Sequence, residues 1–139
     1  MDFQDCVKFA NEAKTAYLAT VESDQPRVRP MGMYMADKTG FYFHTETVKN
    51  IAKQLKANNK VELLFYVPPR TMRVTGKIKF LNDVELGARI LKDRPFLKNL
   101  GIKGPDDPLF MIFQVYTGEA FFWTMADNMK EDKIQKFKF

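Results

Sequence analysis

The stretch TAYLATVESDQPRVRPMGMYMADKTGFYFHT, residues 15–45, decides the fold. Thr15–Val21 is a run of β-favouring side chains, closed by Glu22-Ser23-Asp24-Gln25-Pro26, a polar turn cluster ending in proline. Arg27–Ala36 alternates its large residues, and Asp37-Lys38-Thr39-Gly40 is a hairpin-type turn. Phe41–Thr45, dense in aromatic and β-favouring residues, is the returning strand. Strands joined by turns this short pair antiparallel, because a parallel neighbour needs a crossover of a dozen residues or more.

Working outward, Phe3 to Lys14 reads as a helix, with Phe3, Val7, Ala10 and Ala13 near one face. After Thr45 the period changes from two to nearly four. Val48, Ile51, Ala52 and Leu55 recur at helical spacing, Thr47 stands in an N-cap position, and Lys49, Lys53 and Lys56 occupy the other faces. Val61–Tyr66 and Met72–Leu81 are strands separated by Pro68-Pro69, and a helix is expected from Asn82 or Asp83 to about Lys92. Pro95 starts another turn or two, and residues 101–108 form a loop rich in glycine and proline. Leu109–Thr124 is one long apolar strand with Gly118-Glu119 in its middle, which predicts a bulge or sharp bend there. The tail from Asn128 to Phe139 is lysine-rich, and Ile134–Phe139 alternates apolar with polar. The expected fold is mainly β with flanking helices: a six-stranded small antiparallel barrel, since the regular strand–helix alternation of a doubly wound sheet is missing.

A chain of 139 residues is expected to form a single domain, and 45% hydrophobic with 28% charged residues is ordinary for a globular protein. No apolar run approaches the ~20 residues of a membrane-spanning helix. The acidic, amphipathic start lacks the basic and apolar regions of a signal peptide, so a cytoplasmic location is expected. The single cysteine, Cys6, fits that reducing compartment, and no Cys/His cluster exists to hold a metal.

The net charge of +5 concentrates in three places: Arg27 and Arg29, Lys49, and the tail. Arg27 and Arg29 lie two apart on a strand and leave the same face. Lys49 stands near the start of a helix, where amide N–H groups, the dipole and the hydroxyls of Thr45 and Thr47 converge with it on one anion. An arginine, a lysine and a helix N-terminus suffice for a phosphate. The same charges also serve to solvate a surface, and spacing alone leaves both readings open. Phosphate-binding glycine loops are absent, and one histidine, His44, gives no hydrolytic triad. Aromatic side chains sit in strands that read as buried, which argues against nucleic-acid binding.

Taken in order, several strings resemble the FMN-binding split-barrel family, the group that includes pyridoxamine 5′-phosphate oxidase. They are Ala16–Val21 after an N-terminal helix, Pro26–Met31, Gly40–Thr45, Lys49, Gln54–Phe65, Arg73-Val74-Thr75-Gly76 and Phe122-Trp123. The resemblance implies a six-stranded split β-barrel forming a homodimer, with FMN in each of two clefts between subunits. It places Arg29 and Lys49 on the FMN phosphate, with Pro30 and Met31 where backbone groups meet the flavin ring. His44 and Thr45 fall beside the ribityl-phosphate, Thr71 or Arg73 lines the same cleft, and Trp123 approaches the flavin. It implies an FMN-dependent oxidoreductase acting on a small-molecule redox substrate, with no metal. Tyr34 and His44 are the candidate proton donors, and no catalytic residue is fixed. The Arg-x-His element by which the oxidase holds pyridoxal phosphate is missing from Ala126–Lys130, so oxidation of vitamin B6 phosphates is not expected. Two alternatives follow from the same frame: a flavin carrier or sensor without turnover, and a haem-binding relative with His44 as the only imidazole ligand.

Overall fold

The computed structural model describes residues 1–139. Helix α1 (Phe3–Ala13) leads into β1 (Thr15–Glu22), β2 (Gln25–Gly32), β3 (Met35–Asp37) and β4 (Gly40–Glu46). Helix α2 (Asn50–Ala57), β5 (Lys60–Val67), β6 (Arg70–Leu81) and α3 (Val84–Asp93) follow. A 3-10 segment (Pro95–Leu100) precedes β7 (Phe110–Trp123), and β8 (Phe137–Lys138) ends the chain. All strands join one antiparallel sheet in the order β2-β1-β5-β6-β7-β4-β3, with β8 on β7. The fold is a split barrel with flanking helices. It has eight strands rather than six.

Two strands account for the difference. The expected strand from Arg27 to Ala36 divides at Met33-Tyr34, where the Met33 N–H bonds the Lys14 carbonyl and the Tyr34 N–H bonds the Tyr42 carbonyl. The chain there leaves one end of the sheet and joins the other, so β2 and β3 are its unpaired ends and the split lies between them. The other addition is β8. Its Phe137 is buried against Ala120, and Phe139 stacks on Phe3 with ring centroids 4.7 Å apart. The tail's alternation therefore closes the barrel floor with phenylalanines while its lysines face outward.

Alternation sends Leu18, Leu63, Val74 and Ala120 inward in one row, and Ala16, Phe65, Met72 and Phe122 in the next. Helix α1 fills the curled sheet with Cys6, Val7, Phe9 and Ala10, and its first turn is secured by the reciprocal Asp2 and Asp5 caps. A second, smaller core lies on the other face of β4 and β7, where Leu86, Ile90 and Leu97 cover Phe110 and Ile112. With both faces buried, Leu109–Val115 is apolar at every position but Gln114.

Two local expectations shift. The β7 bulge falls at Tyr116, which has no partner between the pairs Lys77↔Thr117 and Ile78↔Val115. Gly118 instead permits close passage of β6: a Cβ there would stand 1.9 Å from the Thr75 carbonyl oxygen. Thr47 does not cap α2. The helix begins at Asn50 with Lys49 in the cap position, and Val48 is exposed rather than inward. No helix is long and apolar enough to cross a membrane.

Candidate functional site

A groove of about 610 Å³ runs between β2 and the start of α2, lined by Arg27, Arg29, Pro30, Met31, Lys49, Asn50 and Gln54 among others. Arg29 projects from β2 opposite Leu18 and is half-buried. Its guanidinium donates to the Leu18 carbonyl at 3.3 Å, to Thr20 Oγ1 at 2.8 Å and to Gln54 Oε1. Gln54 Nε2 in turn donates to Glu22 at 3.2 Å, and Glu22 pairs with Arg27 at 3.0 Å. Bonds from Arg27 and Gln54 hold the Glu22 carboxyl below the usual carboxylate range. The ion pair thus consumes Arg27 and leaves Arg29 with neutral acceptors only. Burial first, and the like charge of Arg27 second, depress the Arg29 pKa, so an anion in the groove relieves an existing electrostatic cost.

Helix α2 adds to this. Its cap residue Lys49 makes no side-chain cap bond, and its first turn carries no acid. The amides of Asn50 and Ile51 precede the first intrahelical donor, the Ala52 N–H to Lys49 carbonyl bond, so they have no backbone partner, and both residues line the groove. Lys49 itself is half-exposed and lies 3.5 Å from Glu46. A guanidinium without a carboxylate partner, an ammonium and a helix start thus line one hollow, a set of groups whose chemistry suits an anion such as a phosphate.

The family model for pyridoxamine 5′-phosphate oxidase matches residues 3–124. The chain belongs to the pyridoxamine 5′-phosphate oxidase family. The pyridoxine/pyridoxamine 5′-phosphate oxidase of Rhodopseudomonas palustris strain BisA53 is 36% identical over 81 residues, 56% of this chain and 38% of the relative. The chain thus spans well under half the length of the curated relatives it matches. Among solved structures, a NimC/NimA family protein from Clostridium acetobutylicum has a TM-score of 0.79 at 28% identity, covering 98% of this chain and 92% of that one. A pyridoxamine 5′-phosphate oxidase-related, FMN-binding protein from Nostoc punctiforme shares the fold at 13% identity, with a TM-score of 0.64 and coverage of 99% and 93%.

Within this member of the pyridoxamine 5′-phosphate oxidase family, the residues singled out from sequence fall into separate groups. Arg29, Pro30, Met31 and Lys49 share the groove. Thr71, Arg73 and Trp123 lie together on the outer face of β6 and β7, where Thr71 Oγ1 donates to the Trp123 carbonyl at 3.4 Å. Arg73 approaches Glu62 at 3.5 Å and Glu131 at 3.8 Å and covers the Phe121 ring. Thr47 is elsewhere, donating to the Pro108 carbonyl at 3.0 Å. His44 and Thr45 are buried on opposite faces of β4. Thr45 Oγ1 and His44 Nδ1 have no partner, while His44 Nε2 lies 2.7 Å from Arg94 Nη1. Burial, then Arg94 and Lys49, pull the His44 pKa down to about 4, so the ring is neutral near pH 7.

Sequence reasoning missed Thr20, Gln54 and Arg94. Gln54 carried a signal, since it is the polar residue on the face of α2 that buries Ile51, Ala52 and Leu55. A buried amide needs partners, and here it organises Arg29 and Glu22. Arg94, between a helix and Pro95, carried no such mark.

Proposed function

We propose that residues 1–139 act as one FMN-binding unit and that the protein is an FMN-dependent oxidoreductase that does not oxidise vitamin B6 phosphates. The observation that carries this reading is Arg29, a half-buried guanidinium with no carboxylate partner, set beside Lys49 and the open amides of α2. These groups fit a flavin phosphate: Arg29 and Lys49 hold its oxygens and the Asn50 and Ile51 amides complete the cradle. Pro30, Met31 and Gly32 lie on the open edge strand, where backbone groups remain free to meet a ring. When bound, the flavin supplies the electron transfer, and the protein's part is to bind, orient and tune it.

The outer-face residues enter through a second copy. Exposed Tyr17 and Tyr66, with Arg73, Thr71 and Trp123, form the outer face of β1, β5, β6 and β7. Burial of that face in a homodimer brings the partner subunit's Thr71, Arg73 and Trp123 toward the groove. A small-molecule substrate then reaches the flavin at the subunit boundary. A haem in this fold needs His44 as ligand, but that ring is buried and its Nε2 is already engaged by Arg94.

The test is the absorption spectrum of the purified protein and its thermal midpoint with added FMN. Flavin bands, or a midpoint that rises with FMN concentration, support the reading. A colourless protein whose midpoint ignores FMN ends it. Anaerobic NADH or NADPH then separates an oxidoreductase, which bleaches the flavin, from a carrier that does not.

A further inference from the structure

We propose that Arg94 is a positioning residue for the ring end of the flavin site, an inference that rests on the flavin reading above. Successive residues of an antiparallel strand direct their backbone groups alternately toward the neighbour and away from it. The Met33 N–H bonds the Lys14 carbonyl, and the register pairs Met31 with Ala16 and Gly32 with Thr15. Gly32 therefore turns its N–H and carbonyl to the open edge of β2, one residue beyond the groove-lining Met31.

Arg94 reaches that edge from the end of α3. Its Nη1 donates to the Gly32 carbonyl at 3.3 Å and its Nη2 to the Met33 carbonyl at 2.8 Å. One planar fork thus fixes two successive carbonyls and leaves the Gly32 N–H as the edge donor. Gly32 also borders a hollow of about 270 Å³ that Met33, Tyr34 and Arg94 line together with the α1–β1 junction, and a Cβ at Gly32 would meet nothing nearer than Arg94 Nη1 at 3.9 Å.

The fork is itself held. Arg94 Nη1 also donates to His44 Nε2, and the guanidinium lies over the Tyr34 ring, 5.6 Å from its centroid. A guanidinium only donates, so His44 accepts at Nε2 and carries its proton on Nδ1, which is buried without a partner. That unmet donor is a cost the fold bears in keeping the imidazole turned to Arg94. The neighbouring acid, Asp93, accepts from the Tyr34 hydroxyl at 2.6 Å, so no carboxylate pairs with Arg94 and its charge stands at the β2 edge. Tyr34, spoken for by Asp93, is part of this support.

The experiment compares wild type, Arg94→Met and Arg94→Lys by three measurements: the imidazole NMR of the only histidine in cofactor-free protein, thermal midpoints, and dissociation constants for FMN and riboflavin. Lys keeps the charge but presents one ammonium, which cannot span both carbonyls and the ring, and it covers the case in which the Met variant fails to fold. Both variants are expected to release His44 from its Nδ1–H form and to weaken FMN and riboflavin by the same factor, about tenfold. Three results overturn the proposal while leaving the flavin reading intact. One is a lowered midpoint with both affinities unchanged, the mark of a plain staple. Another is loss of FMN affinity alone, which places the effect at the phosphate. The third is an unchanged His44 signal. If wild type binds neither flavin, the flavin reading falls and takes this proposal with it.

Discussion

Arg29 and Lys49 share the groove but differ in surroundings, and the difference predicts unequal effects. Arg29 is half-buried and makes only neutral bonds, whereas Lys49 is half-exposed and partly satisfied by Glu46. Arg29→Ala should weaken FMN binding by about 1.5–3 kcal/mol, with Lys49→Ala at the low end of that range. Riboflavin, which lacks the phosphate, should be held equally by all three proteins in calorimetric titrations. Equal losses for both ligands would move the arginine away from the phosphate. His44 gives a second residue-scale prediction. Its folded pKa of about 4 lies below the ordinary 6.5, so between those values the unfolded chain binds a proton that the folded chain does not. Stability therefore rises with pH from about 4 to 6.5 and the His44 contribution is flat outside that window, a span of about 3 kcal/mol. His44→Gln should remove that part of the slope in urea titrations at pH 4.5 and 7. A slope identical to wild type would mean that the imidazole titrates in the open.

At the scale of elements, the crossing of β6 and β7 is held to its spacing by glycines. Gly76 pairs with Gly118, and a Cβ on either meets backbone of the other strand under 3 Å away. Gly118→Ala should cost about 3 kcal/mol, read as a fall in urea midpoint with an unchanged slope. A near-neutral result would show that the strands part freely there. The same crossing marks how far elements were legible in the sequence. Turn residues found the β1–β2 and β3–β4 turns, and periodicity found α1, β5 and β6, because each of these three buries one face of a regular period. It ran Arg27–Ala36 into a single strand, because the break at Met33-Tyr34 is made by bonds to Lys14 and Tyr42, partners distant in sequence. It began α2 too early, because Thr47 is a good cap residue whose hydroxyl is instead turned across the fold to donate to the Pro108 carbonyl. Of the site, Arg29 and Lys49 were legible as charges near a strand and a helix start. Gln54 was marked only as a polar residue on a buried helix face, and Arg94 not at all. The partners that give them roles, Arg29 and Glu22 for one and Gly32, Met33 and His44 for the other, are brought in by tertiary packing.

For the whole molecule, the question is whether one copy completes the site. The groove gathers Arg29, Lys49, the start of α2 and a strand edge, yet Thr71, Arg73 and Trp123 stand on the outer sheet face, with Tyr17 and Tyr66 exposed beside them. Exposed tyrosines flanking a continuous sheet face are the kind of side chain that anchors a protein interface. A pair of copies related by twofold symmetry would bury both faces at once. Tyr17→Glu combined with Tyr66→Glu places like charges opposite each other across such an interface while leaving every groove residue in place. On the proposed dimer, wild type should sediment as a dimer and the double variant as a monomer at the same concentration, and the variant should bind FMN at least tenfold more weakly, since about 1.4 kcal/mol of contact from the other copy is lost. A monomeric variant with wild-type FMN affinity would show that the groove alone holds the flavin and that the outer-face residues serve another purpose. A variant that remains dimeric would place the interface on a different face.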